Sequence, residues 1–109
     1  MAAQTSLDDV FRALADPTRR LVLERLNRGP GSMSELAQPF DMALPSFAQH
    51  LDVLEHCGLV RSRKQGRVRT YQLTPRCLRA AEHWLQQQRT QWEFRLDQLD
   101  RFLEQEDAQ

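Results

Sequence analysis

Residues 32–73 read SMSELAQPFDMALPSFAQHLDVLEHCGLVRSRKQGRVRTYQL, and this segment is the most informative part of the chain. It opens with Ser-Met-Ser-Glu, which fits a capping box and predicts a short helix that ends before Pro39. A second amphipathic segment follows and stops at Gly58, and a basic stretch then turns around Gly66. Two short helices, a glycine stop and a cationic hairpin are the layout of a helix-turn-helix with a wing, so double-stranded DNA binding is the first hypothesis.

The second helix of this pair is predicted from about Leu44 to Gly58. Phe47, Leu51 and Leu54 recur at helical spacing and form its buried stripe. Because alanine is a poor helix cap, Ala43 leaves the start of this helix the weakest boundary in the chain.

The hairpin is predicted from two short strands, 59–64 and 68–73, joined by a turn that contains Gly66. The chain has no net charge, but residues 61–81 carry seven basic side chains and no acidic one. Fourteen of the fifteen basic residues are arginine, which suits bidentate contacts with phosphate. Since screening limits a charge to about 8–10 Å, this local patch matters more than the zero total. The alternative is a basic edge strand that is only solvated.

Two helices are predicted before this stretch. The first runs from about 7 to 15, capped by Ser6 or Thr5, and the second runs from 17 to about 28, with Asp16 as its cap and a proline in its first turn. The second helix is expected to bury Leu21, Val22 and Leu26, with Leu23 at the margin.

A last helix is predicted over 75–105, capped by Thr74. At 1.5 Å per residue it would be about 45 Å long, more than one small domain can cover. Its heptad-like apolar stripe therefore predicts a homodimer, with this helix and the first helix as the seam. A break near residues 86–90 that folds the helix back on its own domain is the alternative. The predicted interface residues are Leu7, Val10, Phe11, Leu78, Ala81, Leu85, Trp92, Leu96, Leu99 and Leu103.

The predicted DNA-contacting residues lie on the second helix of the pair and on the wing. Gln49 can pair with adenine through its amide, and Arg67 at the wing tip suits the minor groove. His50 can donate to a phosphate or pack at a helix–helix junction, and both readings stay open. The full set is Leu44, Ser46, Gln49, His50, Arg63, Lys64, Arg67 and Arg69.

Other kinds of chemistry have little support in the sequence. It holds no glycine-rich phosphate loop, no Gly-x-Ser-x-Gly turn and no identifiable pair of catalytic carboxylates, so we expect no enzyme. Two cysteines, Cys57 and Cys77, are too few for a disulfide framework, and a redox switch between them is a minor alternative. We predict no metal site and no cofactor. Without a secretory signal or a membrane span, a cytoplasmic protein is the simplest expectation.

The chain resembles the ArsR-type family of small winged-helix bacterial repressors over about residues 7–75. The motifs that carry the resemblance are FRALADPTRR at 11–20, SELA at 34–37, PSFAQHL at 45–51, GLV at 58–60, GR at 66–67 and YQLTP at 71–75. The resemblance implies a dimer that sits on an operator and blocks transcription, often of its own operon.

Many members of that family release DNA on binding a metal ion through cysteines on the support helix or His and acidic sets on the last helix. This chain has no cysteine at 34–38 and one histidine, His83, on the last helix. The resemblance therefore points to the branch that does not sense metals, in which an inducer, if one exists, is unknown.

The sequence as a whole predicts one domain over residues 1–109, mainly α with a small β-hairpin, in the order α-α-α-α-β-β-α. Its parts are the helix-turn-helix at 32–58, the wing at 59–73 and the dimerisation helix at 75–105. The leading hypothesis for function is a dimeric, sequence-specific DNA-binding repressor of its own or a neighbouring operon. The alternative is a protein-interaction module on the same scaffold that binds no operator.

Overall fold

The computed structural model describes residues 7–107 and has five helices and three strands in that range. In chain order they are α1 (Leu7–Leu14), α2 (Pro17–Leu26), β1 (Gly31–Ser32), α3 (Met33–Ala37), α4 (Leu44–His56), β2 (Val60–Gln65), β3 (Val68–Leu73) and α5 (Arg76–Asp107). The predicted fold class, a mainly helical winged helix-turn-helix with a long last helix, is confirmed. The proposed cap of α1, Ser6 or Thr5, lies outside the described residues.

One hydrophobic core joins the helices to the base of the sheet. The predicted stripe of α4 is confirmed, because Phe47, Leu51 and Leu54 are fully buried. Leu21, by contrast, was expected inside and is 51% exposed, since α2 buries only the narrow face that carries Val22 and Leu26. The remaining core residues are Val10, Ala13, Leu36, Cys57, Leu59, Val60, Tyr71 and Ala81.

Helix α2 begins as predicted and ends two residues early. The Asp16 side chain accepts a hydrogen bond from the Arg19 backbone amide at 3.0 Å, and Pro17 opens the helix. After Leu26 the amides bond three residues back, as from Gly29 N to Leu26 O at 3.1 Å, so the last turn tightens into the loop. This loop places the next strand beside the wing.

The sheet has three strands in the order β1-β3-β2, whereas the sequence predicted only the hairpin. Strand β1 is two residues long and pairs antiparallel with β3, with Gly31 opposite Tyr71 and Ser32 opposite Thr70. So short a strand has no alternating pattern, and its pairing arises only when the chain is folded. Ser32 also caps α3. Its hydroxyl accepts from the Glu35 amide, and the Ser32 amide donates to the Glu35 carboxylate.

Helix α5 is continuous, so the predicted alternative of a break near residues 86–90 is wrong. Thr90 stays in the helix by donating its hydroxyl to the Gln86 carbonyl at 3.0 Å. The predicted cap from Thr74 is also wrong, since its buried hydroxyl has no partner among the described residues. The described chain measures 75 × 37 × 22 Å, because the distal half of α5 extends beyond the core.

Candidate nucleic-acid interface

Helix α4 presents one face to the core and the opposite face to solvent. Leu44, Ser46 and Gln49, predicted as DNA contacts, are all exposed, while Phe47 between them is buried. Ala43 is the N-cap and makes no side-chain hydrogen bond, as the sequence indicated, and Pro45 sits in the first turn. The exposed side chains lie in the amino-terminal half of the helix, where a recognition helix contacts base edges.

The strand register divides the predicted wing contacts between the two faces of the hairpin. Residues directly opposite in an antiparallel pair share a face, and Lys64 lies opposite Arg69. This pair continues the row that contains buried Tyr71, so it is on the side of the sheet that faces α4. Arg63 lies opposite Thr70 on the other face. Only Lys64 and Arg69 therefore share a side with the recognition helix.

Arg67 lies in the turn that joins β2 to β3, as predicted. Gly66 before it has φ +62°, a left-handed conformation that glycine adopts without steric cost. An added Cβ at Gly66 would meet no neighbour within 4 Å, so the requirement for glycine comes from the backbone angle alone. The turn holds the Arg67 side chain at the far end of the hairpin, beyond the body of the domain.

A chain of hydrogen bonds fastens the wing to the recognition helix. Near the end of α4, the Glu55 carboxylate accepts from the Ser62 amide at 3.0 Å and from its hydroxyl at 2.7 Å. The Ser62 hydroxyl in turn accepts from Arg69 Nη1 at 2.8 Å. The same carboxylate, after the larger effect of burial, raises the pKa of Tyr71. The network joins the two elements that carry the predicted DNA contacts.

His50 lies at the junction of α4 with the start of α2, and its side chain is 23% exposed. Its Nδ1 is 3.2 Å from Arg19 Nη1 and 3.7 Å from Asp16 Oδ2. Partial burial raises the pKa of Asp16, but the Arg19 amide hydrogen bond and the nearby His50 and Arg19 charges outweigh it, so the net pKa is lowered. The junction contact predicted for His50 is present, and one ring nitrogen is engaged in it.

Sequence reasoning missed three residues that position this surface. No pattern in the sequence indicated a positioning role for Glu55, Ser62 or Arg19. Arg19 donates to carbonyls of α1 and also reaches His50 across 31 positions in the chain. A serine and a glutamate seven residues apart, or an arginine in a helix, carry no sequence signal for such long-range pairing, which only the folded chain reveals.

The predicted dimer residues fall into three groups. Val10 and Ala81 are 1% exposed because they lie in the core of the single chain. They have no surface left to contact a partner, so their assignment to the dimer interface is wrong. Leu7, Phe11 and Leu78 are half-buried against that core, and Phe11 also packs edge-to-face on Trp84 at 5.6 Å. The remaining five are between 47% and 61% exposed: Leu85, Trp92, Leu96, Leu99 and Leu103.

Among the described residues, the other reactive groups do not assemble into a second site. Within residues 7–107, no cluster of three or more His, Cys, Asp and Glu side chains has the geometry to hold a metal ion. Burial raises the pKa of the Cys57 thiol, and its Sγ donates to the Leu54 carbonyl at 3.4 Å. Cys77 is also a free thiol, half-buried at the start of α5. In the same range no helix is long and apolar enough to span a membrane.

Comparison with known proteins gives consistent results. Residues 14–63 match a family model described as a helix-turn-helix domain. The chain is 44% identical over 80 residues to the HTH-type transcriptional regulator Rv2034 of Mycobacterium tuberculosis, covering 73% of this chain and 75% of that protein. It is 29% identical over 79 residues to the transcriptional repressor SdpR of Bacillus subtilis, covering 72% and 88%. A crystal structure of an ArsR family transcriptional regulator superposes with a TM-score of 0.77 at 56% identity, covering 80% and 90%.

Proposed function

The chain belongs to the ArsR-type family of winged helix-turn-helix transcriptional regulators, and we propose that it represses transcription as a homodimer bound to an operator at its own or a neighbouring operon. Its relatives are DNA-binding regulators and not enzymes. The observation that carries the proposal is that two exposed elements are joined by hydrogen bonds. The inner row of the wing, Lys64 and Arg69, is on the side of the sheet that faces α4, and Glu55 of α4 binds Ser62, whose hydroxyl accepts from Arg69.

The two elements have complementary roles in the proposal. Gln49 and Ser46 on α4 read base edges in the major groove, and Leu44 offers an apolar contact to a thymine methyl group. Lys64, Arg69 and the tip residue Arg67 neutralise phosphates or enter the adjacent minor groove. Arg63, on the outer face of the hairpin, contributes to the positive field and contacts no phosphate on the α4 side.

In a dimer, the second copy supplies a second α4 and a second wing for DNA binding. The apolar stripe of α5 starts inside the core at Ala81 and continues through five exposed large side chains to Leu103. Such a strip needs a complementary apolar surface, and a second copy offers one of the same length. Two copies related by a two-fold axis would place their α4 helices to bind half-sites about one duplex turn, ~34 Å, apart.

Titration of the promoter upstream of the coding region by fluorescence anisotropy tests the proposal. Wild-type affinity should fall by roughly one log unit per log unit of salt for each phosphate contact. Arg67→Ala should weaken binding to every sequence and reduce the salt slope by about one. Gln49→Ala should instead remove discrimination of about 1–3 kcal/mol at a single base position.

Arg28→Ala, an exposed arginine in the loop after α2, is the matched control for Arg67→Ala and should leave the salt slope unchanged. Binding that is absent, or that does not respond to salt, would contradict the proposal. It would favour the interaction-module hypothesis, in which α5 binds another protein.

A further inference from the structure

The side chain of Arg19 connects three elements through three nitrogen atoms. Its Nε donates to the Ala13 carbonyl at 2.8 Å and its Nη2 donates to the Arg12 carbonyl at 3.0 Å. Both carbonyls belong to the last turn of α1, and the Arg12 carbonyl also accepts from the Ala15 amide at 3.2 Å. With two nitrogens fixed in this way, the third, Nη1, is held 3.2 Å from His50 Nδ1.

This contact determines which nitrogen of the His50 ring carries the proton. A guanidinium group has only donors and stays charged at any physiological pH, so the ring nitrogen that faces it must accept. An accepting Nδ1 carries no proton, and the neutral ring then has its proton on Nε2. The Asp16 carboxylate, 3.7 Å from the same Nδ1, is too far for a hydrogen bond and accepts from the Arg19 backbone instead.

The protonated nitrogen, Nε2, is not engaged within the described part of the chain, because no hydrogen bond among residues 7–107 involves it. His50 follows Gln49 and lies one helical turn after Ser46, so it borders the proposed reading surface. Because its side chain is recessed at the junction with α2 while Ser46 and Gln49 are exposed, it suits the phosphate backbone at the rim of the groove better than a base edge.

We propose that Arg19 is a positioning residue for DNA binding, which holds His50 as the Nε2–H tautomer so that this nitrogen donates to a DNA phosphate oxygen. The inference rests on the proposed function for the DNA contact, whereas the tautomer is a property of the free protein. Arg19 acts through His50, and its own guanidinium is already engaged with α1.

Arg20 provides a matched control within the same turn. Its Nη1 donates to the Leu14 carbonyl at 2.8 Å, so it also binds the end of α1, but its hydrogen bonds do not include His50. Replacing either arginine by lysine keeps the charge and removes the planar set of donors. An effect that arises from lost contact with α1 should therefore appear in both variants. An effect that arises from the contact with His50 should appear only in Arg19→Lys.

The first measurement is the tautomer, from long-range ¹H–¹⁵N spectra of the full chain at about pH 8, where ordinary imidazoles are neutral. The His50→Ala spectrum assigns the signal among the three histidines. We expect protonated Nε2 and unprotonated Nδ1 in the wild type and in Arg20→Lys, and a mixture of tautomers in Arg19→Lys. Protonation of Nδ1 in the wild type would overturn the inference whether or not the protein binds DNA.

The second measurement is operator affinity in a double-mutant cycle, with folding of each variant checked by circular dichroism. Arg19→Lys should weaken binding about tenfold, in line with one lost hydrogen bond to a charged group. In a His50→Ala background the same change should have no further effect, whereas Arg20→Lys should leave affinity unchanged in both backgrounds. The loss should be equal for all operator sequences, as a phosphate contact requires.

Other outcomes separate the possible failures. Additive effects of Arg19→Lys and His50→Ala would show that Arg19 acts independently of the histidine and would overturn its positioning role. A loss confined to one base position would overturn the phosphate assignment. A wild-type protein that binds no DNA would overturn the proposed function and the phosphate contact together, while a wrong tautomer alone would overturn only this inference.

Discussion

Two parts of this chain use the same apolar pattern with opposite results. In the compact domain formed by α1 to β3 and the start of α5, residues at helical spacing such as Phe47, Leu51 and Leu54 are fully buried. In the distal half of α5, residues at similar spacing such as Trp92 and Leu99 are 61% and 51% exposed. The pattern thus predicts that a face will be covered, and only the three-dimensional arrangement shows whether the same chain covers it.

The difference assigns separate roles to the two parts. The compact domain buries its core within a single chain and provides a frame for the side chains predicted to contact DNA. The distal part of α5 has only local contacts among the described residues, such as the ion pair between Arg89 and Glu93 at 3.1 Å. Exposed pairs of this kind contribute a few tenths of a kcal/mol. We propose that a second copy of the chain covers this part of the helix and stabilises it.

The largest expected effect comes from removing a buried ring in the compact domain. Phe47→Ala should lower the free energy of unfolding by about 3–5 kcal/mol, because it removes a fully buried ring and leaves a cavity under α4. Urea denaturation at a fixed protomer concentration measures the change. The matched control is Phe94→Ala in distal α5, where the ring is 63% exposed and the change should stay within about 0.5 kcal/mol. Equal losses at the two sites would remove the distinction between the parts.

The next effect concerns association. The double change Leu96→Glu and Leu99→Glu places two charges on the exposed stripe and should convert a dimer into a 12.8 kDa monomer by sedimentation. Operator affinity should fall about a hundredfold or more, because each protomer then binds its half-site alone. At 100° per residue, Phe94 lies about 180° from Leu85, so Phe94→Glu is a control of the same chemistry on the opposite face.

Two results would contradict the proposed seam. A monomeric wild-type protein at micromolar concentration would show that α5 is not covered by a second copy. Dissociation caused by Phe94→Glu and not by the double change would show that the wrong face of the helix was chosen.

The smallest effect compares polar contacts in the two parts. Ser32→Ala should cost about 1 kcal/mol, because it removes the side chain that accepts from the Glu35 amide at the start of α3. Glu93→Ala in distal α5 should cost only about 0.3–0.5 kcal/mol, the usual size of an exposed pair one turn apart. Thermal and urea unfolding of both variants measure the two values. A larger loss for Glu93→Ala would indicate that the distal helix carries structure beyond its local contacts.

Local sequence signals predicted the elements that depend on local physics. The capping box at Ser32 and Glu35, the Asp16 cap and the stripe of α4 all involve neighbours within one or two turns, and all three are confirmed. The turn at Gly66 was likewise predicted, because a tight hairpin turn demands a residue that accepts a positive φ.

Features that depend on the folded chain were missed or wrong. Strand β1 exists only because residues 31 and 32 meet β3 about forty positions later. Leu21 was placed inside because its hydrophobicity fitted α2, yet the neighbouring elements cover only the opposite face. The links from Arg19 to His50 and from Glu55 to Ser62 and Arg69 join elements whose approach no local pattern encodes. The DNA contacts and the seam themselves remain predictions.

The short connection from the wing to α5 has a mechanical consequence. Only Thr74 and Pro75 separate β3 from the long helix, and the Thr74 amide is anchored to the Leu59 carbonyl at 2.8 Å. Helix α5 is about 48 Å long and is attached to the sheet through this short connection, so a small rotation at the connection produces a large displacement at the far end. In the proposed dimer, a modest tilt between the two α5 helices would displace the tip of each wing relative to the DNA duplex. A structural change at the distal end of α5 would therefore weaken DNA binding from a distance.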